Sequence, residues 1–148
     1  MASHGDDQRM LGALLRIPFQ ALVARIHRDL AAAGYGDLRP AHFTVFQHLD
    51  REGSRLTELA DRAQITKQSM GYLVDYLERR GYVERVPDPQ DARARVVRPT
   101  ERGRDVERRA RATIREVERE WAERLGERRV RELHETLRDL AAYLEGRA

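Results

Sequence analysis

A mainly α-helical fold with one small β-hairpin is what the sequence predicts, on three observations. Apolar residues recur at three- and four-residue steps along most of the 148 residues, the mark of amphipathic helices. Only Val83 to Val86 and Arg95 to Arg98 read as short strands, joined through a tip running Asp88-Pro89-Gln90-Asp91-Ala92-Arg93. Two short helical segments separated by a tight turn come immediately before that hairpin. Helix, turn, helix and hairpin in this order spell a winged helix-turn-helix, here with long dimerisation helices at both chain ends. The expected division is residues 1–37 as an amino-terminal helix, 38–100 as the winged module and 101–148 as the carboxy-terminal helices.

The first helix is long. Leu11, Leu15, Phe19, Leu22, Ile26 and Leu30 share its stripe, and Gly34 ends it. Pro18 lies inside that pattern, so either the helix kinks there, the favoured reading, or a short turn hands over to a helix starting near it. Pro40 suits the first turn of a second helix, with Phe43, Phe46 and Leu49 on one face and Gly53 as its stop. Thr57 reads as the cap of a third, short helix bearing Leu59, Ala60 and Ala63. The fourth helix has the best signals. Thr66 caps it, Ile65 can staple onto Met70, and Met70, Leu73, Val74 and Leu77 follow the apolar helical pattern up to Gly81. In the hairpin, Pro87 and Pro89 are expected to block further ladder bonds. Thr100 then caps a long helix whose Val106, Ala110, Ile114, Val117, Trp121 and Leu125 form one stripe. A last helix carries Val130, Leu133, Leu137, Leu140 and Leu144 at coiled-coil spacing.

The terminal helices need cover. A winged core can bury one side of them, and Leu11, Leu15, Trp121, Leu133, Leu137 and Leu140 would otherwise join a large exposed patch. A symmetric homodimer built from both chain ends is the economical answer; the alternative folds these helices back on their own chain as a monomeric bundle.

Composition sets the outer limits. A chain of this length fits one domain with a modest core, and 36% charged residues leave a large polar surface. Net charge is only +3, yet residues 62 to 104 hold ten Lys or Arg against six Asp or Glu, leaving the remainder slightly acidic. Ordinary solvated helix faces are the plain alternative for such a window. No cysteine is present, which excludes disulfides, thiolate zinc sites and cysteine redox switches. The amino terminus from Met1 to Asp7 lacks an apolar run, so neither a signal peptide nor a membrane anchor is expected, and a reducing cytoplasm is the default location.

Burying the apolar face of the fourth helix turns Gln68, Tyr72 and Arg79 outward, with Lys67 and Ser69 beside its first turn. A helix fits the major groove of duplex DNA. There Gln68 can present its amide to adenine N6 and N7, Ser69 can adapt, and Tyr72 offers a hydroxyl and a ring. Lys67, Arg79, Arg95 and the amides freed after Thr66 suit phosphates. Arg93 at the tip can enter a narrow minor groove, with Asp91 bracing its guanidinium. Plain solvent exposure is the alternative for any one of these residues. Double-stranded DNA is the expected partner, and no cofactor is expected.

Residues 38 to 103, from Leu-Arg-Pro-Ala-His-Phe through Leu-Thr-Glu-Leu-Ala and Leu-Val-Asp-Tyr-Leu-Glu-Arg-Arg-Gly-Tyr-Val to Asp-Pro-Gln-Asp-Ala-Arg and Pro-Thr-Glu-Arg-Gly, resemble the multiple antibiotic resistance regulator (MarR) family. The helical ends match it in length and order. The resemblance implies a homodimeric transcriptional regulator, usually a repressor, that binds a palindromic operator and often releases it on binding a small aromatic or phenolic ligand. It places Gln68, Ser69 and Tyr72 in the recognition helix and Asp91 and Arg93 in the wing pair. Two departures stand out: Ala92 occupies a position where many relatives carry a second arginine, and Arg39 replaces the usual capping threonine before Pro40. Relatives that sense peroxide use a cysteine, which this chain lacks.

By the same analogy, an effector would lodge between the first, second and fourth helices. Phe19, Val23, His42, Phe46 and Met70 are the candidate lining, with ordinary core packing as the alternative for each. His42 is singled out because an imidazole near neutral pH can pair with an anion. His42 and His48, six apart, point about 120° away from each other and make a poor metal pair. An enzyme is disfavoured: the chain has no phosphate-cradling glycine loop, no His-Glu-x-x-His and no serine elbow. The remaining alternative is a winged helix used for protein contact or nonspecific DNA packaging.

Overall fold

A computed structural model describes residues 10–147, and the expectation for the extreme amino terminus lies outside them. The elements run α1 (Leu11–Ala32), α2 (Pro40–His48), α3 (Leu56–Ala63), α4 (Lys67–Arg79), β1 (Val83–Asp88), β2 (Asp91–Pro99), α5 (Glu101–Leu125) and α6 (Glu127–Leu144). Two compact units divide between Ala110 and Arg111. Among the described residues, no helix is long and apolar enough to cross a membrane.

The core of the first unit is built from one face of each element. Ile26 and Leu30 come from α1, Val45 from α2, Leu59 and Ala60 from α3, and Met70, Val74 and Leu77 from α4; Tyr82, Val83, Val96 and Val97 come from the hairpin and its approach. α1 is one continuous helix with Pro18 inside it, and only Ile26 and Leu30 in its carboxy-terminal half are buried. Its first half leaves Leu11 71% and Leu15 47% exposed. In the second unit, α6 buries no residue at all, and Leu133, Leu137 and Leu140 stay more than 40% exposed.

Several expected boundaries shift for local reasons. α2 stops at His48 because Leu49 turns extended, and its buried face is His42 and Val45, with Phe43 and Phe46 only half-buried. α3 begins at Leu56, with Arg55 in the extended cap position and Thr57 inside the helix. The chain enters α3 from a bridge in which Ser54 and Val97 exchange backbone bonds of 2.8 Å, and the helix starts two residues earlier than a cap at Thr57 would start it. The ladder also continues past Val86 through Pro87 opposite Arg95 and, across an irregularity, Asp88 opposite Asp91. A two-stranded ladder has a free edge on each strand, so a proline there need not cost a bond.

Candidate nucleic-acid interface

The helix-turn-helix is set by local chemistry. Gln64, the only described non-glycine residue at positive φ (59°), ends α3, and Thr66 caps α4 by accepting the Ser69 amide at 3.0 Å. With Met70, Val74 and Leu77 fully buried, Lys67, Gln68, Ser69, Tyr72 and Arg79 are exposed. The structure therefore brings the expected recognition residues onto one open surface. Tyr72 is 67% exposed, and the Gln68 amide donates to its hydroxyl at 3.2 Å. That bond pre-orients the amide while leaving its oxygen free. Thr66 and Ser69 are partly committed to each other, their hydroxyls 2.9 Å apart.

At the wing tip, the Arg93 side chain is 94% exposed, and Asp91 Oδ1 accepts from its backbone amide at 3.1 Å and lies 3.5 Å from its Nε. The expected brace is present but loose. Arg95 is exposed too, yet its guanidinium donates to the Arg85 carbonyl at 2.8 Å, so part of it serves the hairpin itself.

Two anchors were not legible in the sequence. Arg55, at the entrance to α3, donates through Nε and a terminal nitrogen to Asp88 Oδ2 at 3.0 and 2.8 Å, tying the wing tip to the helix-turn-helix. The Gln90 amide, followed by the Arg55 guanidinium, holds the Asp88 carboxyl below its ordinary range. Arg85 in β1 reaches Glu78 at 2.7 Å and Asp75 at 2.8 Å, both on α4. Besides tying wing to helix, its single positive charge partly offsets the two carboxylates beside the exposed face. The partners are seven to thirty-three residues apart and lie on different elements, so no single helical or hairpin period pairs them.

The candidate effector residues scatter in their exposure. Phe19 is 54% exposed, Val23 and Phe46 are half-buried, and Met70 is fully buried. His42 has another occupation. Its Nδ1 accepts the Arg39 amide at 2.8 Å, the return half of a capping box, and its ring stacks on Tyr76 at 4.4 Å and 4°. Burial lowers its pKa, with Arg39 pushing the same way against Asp37, so at neutral pH the ring is an uncharged acceptor and not a cation awaiting an anion.

A lowered folded pKa means that stability is complete above the ordinary value of 6.5 and is lost as pH falls toward and through the folded value. Chemical unfolding measured between pH 7.5 and about 5 is expected to show that decline. It should be shallower in His42→Asn, and equal declines in the two proteins would clear His42 as the titrating group.

The sequence profile described as MarR family matches residues 37–94. No curated protein matches the chain. Among solved structures it is similar to a MarR-family transcriptional regulator from Rhodococcus sp. RHA1, at 25% identity and TM-score 0.70 over 95% of this chain and 98% of that one. It is similar to the transcriptional repressor CouR bound to a 23-mer DNA duplex, at 26% identity and TM-score 0.72 over 95% and 99%. CouR from Rhodococcus jostii RHA1 bound to p-coumaroyl-CoA gives 26% identity and TM-score 0.68 over 88% and 91%. The family's members are transcriptional regulators and not enzymes. Residues 37–94 thus match the MarR family's profile, and the chain as a whole has the winged helix-turn-helix fold of the MarR-family regulators it is similar to.

Proposed function

We propose that this chain is a sequence-specific DNA-binding transcriptional repressor, acting in the cytoplasm as a homodimer on a palindromic operator. The observation that carries the reading is the exposed Gln68–Tyr72 pair on α4 beside an exposed Arg93 on a wing that Arg85 ties to the same helix. Gln68, Ser69 and Tyr72 read base edges in the major groove; Lys67, Arg79, Arg95 and the first-turn amides that the Thr66 cap leaves free hold phosphates; Arg93, steadied by Asp91, enters the minor groove. The exposed apolar residues of α1 and α6, Leu11, Leu15, Leu133, Leu137 and Leu140, together with Trp121 on α5, support dimerisation through both chain ends. A small aromatic or phenolic effector is the proposed release signal, in keeping with the aromatic acyl ligand of CouR. Phe19, Val23 and Phe46 offer it apolar surface; His42 would serve as an uncharged wall, and Met70 would have to move to contribute.

Selection of bound duplexes from a random pool, followed by footprinting, tests the reading. The expected outcome is a twofold-symmetric motif with half-sites about 10 base pairs apart, preferred over random duplex by roughly 10³ or more. No enrichment above the starting pool would refute it. Arg93→Ala should weaken binding to the selected duplex by roughly tenfold while leaving the dimer intact in sedimentation. Unchanged affinity would remove the wing tip from the interface.

A further inference from the structure

Between the end of the recognition helix at Arg79 and the start of the wing at Val83 lie only Arg80, Gly81 and Tyr82. Gly81 sits at φ +80°, a conformation that glycine adopts without steric cost, and the Tyr82 amide donates to the Leu77 carbonyl at 2.9 Å, so the backbone closes the helix end and side-chain contacts across the joint add to that hold. The segment joining α1 to α2 grips the joint on both sides. Leu38 is fully buried and anchors that segment. The neighbouring Asp37 accepts the Tyr76 hydroxyl on its carbonyl at 2.7 Å, meets Arg80 at 3.7 Å through Oδ2, and accepts the Tyr82 hydroxyl on Oδ1 at 2.5 Å. Two of these partners precede Gly81 and one follows it. Arg102 completes the grip from α5, donating to the Tyr82 hydroxyl at 2.9 Å with its guanidinium 4.5 Å from the ring centre.

We propose that Asp37, acting through Tyr82 and the Tyr76–Arg80 turn, is a positioning residue that sets the angle between recognition helix and wing, and thereby the discrimination of operator from other DNA. Asp37 touches no base or phosphate in this arrangement; it acts by restricting how the two reading elements present themselves together. The part concerning discrimination rests on the repressor reading, whereas the geometric part does not. Asp37→Ala removes the two carboxylate contacts, to Arg80 and Tyr82, and keeps the carbonyl bond to Tyr76, so it loosens the joint while leaving the Tyr82 ring in the core.

Because the chain contains no cysteine, spin labels can be placed at Arg79→Cys and Gln90→Cys alone, one on the helix and one at the wing tip. Diluting labelled chains with an excess of unlabelled ones keeps each measured distance within one chain. A narrow helix-to-wing distance distribution is expected in the parent background, broadening in Asp37→Ala and in Tyr82→Phe, which keeps the buried ring and removes only the hydroxyl. In unlabelled protein, both substitutions should lower the ratio of affinities for the selected duplex and a scrambled duplex by roughly tenfold, with scrambled-duplex affinity and its salt dependence unchanged. The loss in the double variant should be smaller than the sum of the two single losses, as expected for two residues of one connected device. If Asp37→Ala fails to fold, Tyr82→Phe alone decides. An unchanged distance distribution overturns the proposal, as does equal weakening on both duplexes. Broadening in a protein whose parent form does not discriminate would leave the positioning role standing and sink the repressor reading.

Discussion

Gly103→Ala is expected to destabilise the protein by about 3 kcal/mol, the upper end of what overpacking costs, or by more. A Cβ at this position would sit 2.1 Å from the Tyr82 carbonyl oxygen and 3.3 Å from Pro99 Cβ. Neither neighbour is a flexible side-chain end that can swing aside. The same carbonyl accepts the Thr100 amide at 3.0 Å, so moving it to relieve the clash breaks the junction where α5 leaves the wing. Urea unfolding should show the loss as a lower midpoint at unchanged slope. Gly71→Ala in α4 is the matched control. There a Cβ meets only Leu56 Cδ2 at 3.8 Å, so the gain in helix propensity, up to about 1 kcal/mol, should dominate. Equal effects from the two substitutions would mean that the close approach at Tyr82 does not exist in solution.

Gln68→Ala should cost about 1–3 kcal/mol of affinity for the selected duplex, and the loss should disappear when the base pair it reads is changed. Its position in the first turn of α4 and its bond to the Tyr72 hydroxyl place the amide on the open surface with one donor already engaged. A fluorescence titration against the selected duplex and its single-base variants measures this. Uniform weakening on every duplex would reassign Gln68 to the phosphate backbone, where contacts carry no base preference. The contrast with Asp37 is useful: a reading residue loses discrimination at one position, whereas a residue that sets the helix-to-wing angle loses it across the whole site.

Much of the interface could be read from neighbours along the chain. Thr66 and Ser69 are three residues apart, and Met70, Val74 and Leu77 share a helical face, so the cap, the start of α4 and its outward side all follow from short-range rules. The hairpin and its exposed arginine tip were legible for the same reason. Thr57 misled because it looks like a cap, but a long-range bridge at Ser54 sets where α3 begins. His42 misled because an imidazole carries no sign of its surroundings until Tyr76, thirty-four positions later in α4, is stacked against it.

By itself, then, the sequence determined which segments are helices, which face of α4 is buried and which side chains it offers outward, since these depend on residues within a turn or two of one another. Only the tertiary structure decided that Arg55 holds Asp88, that Arg85 reaches both Asp75 and Glu78, that His42 is buried against Tyr76, and that Asp37 grips both sides of Gly81. Each of these is a pairing of polar groups brought together by chain folding, and its energy depends on distance and burial, which no spacing along the chain encodes.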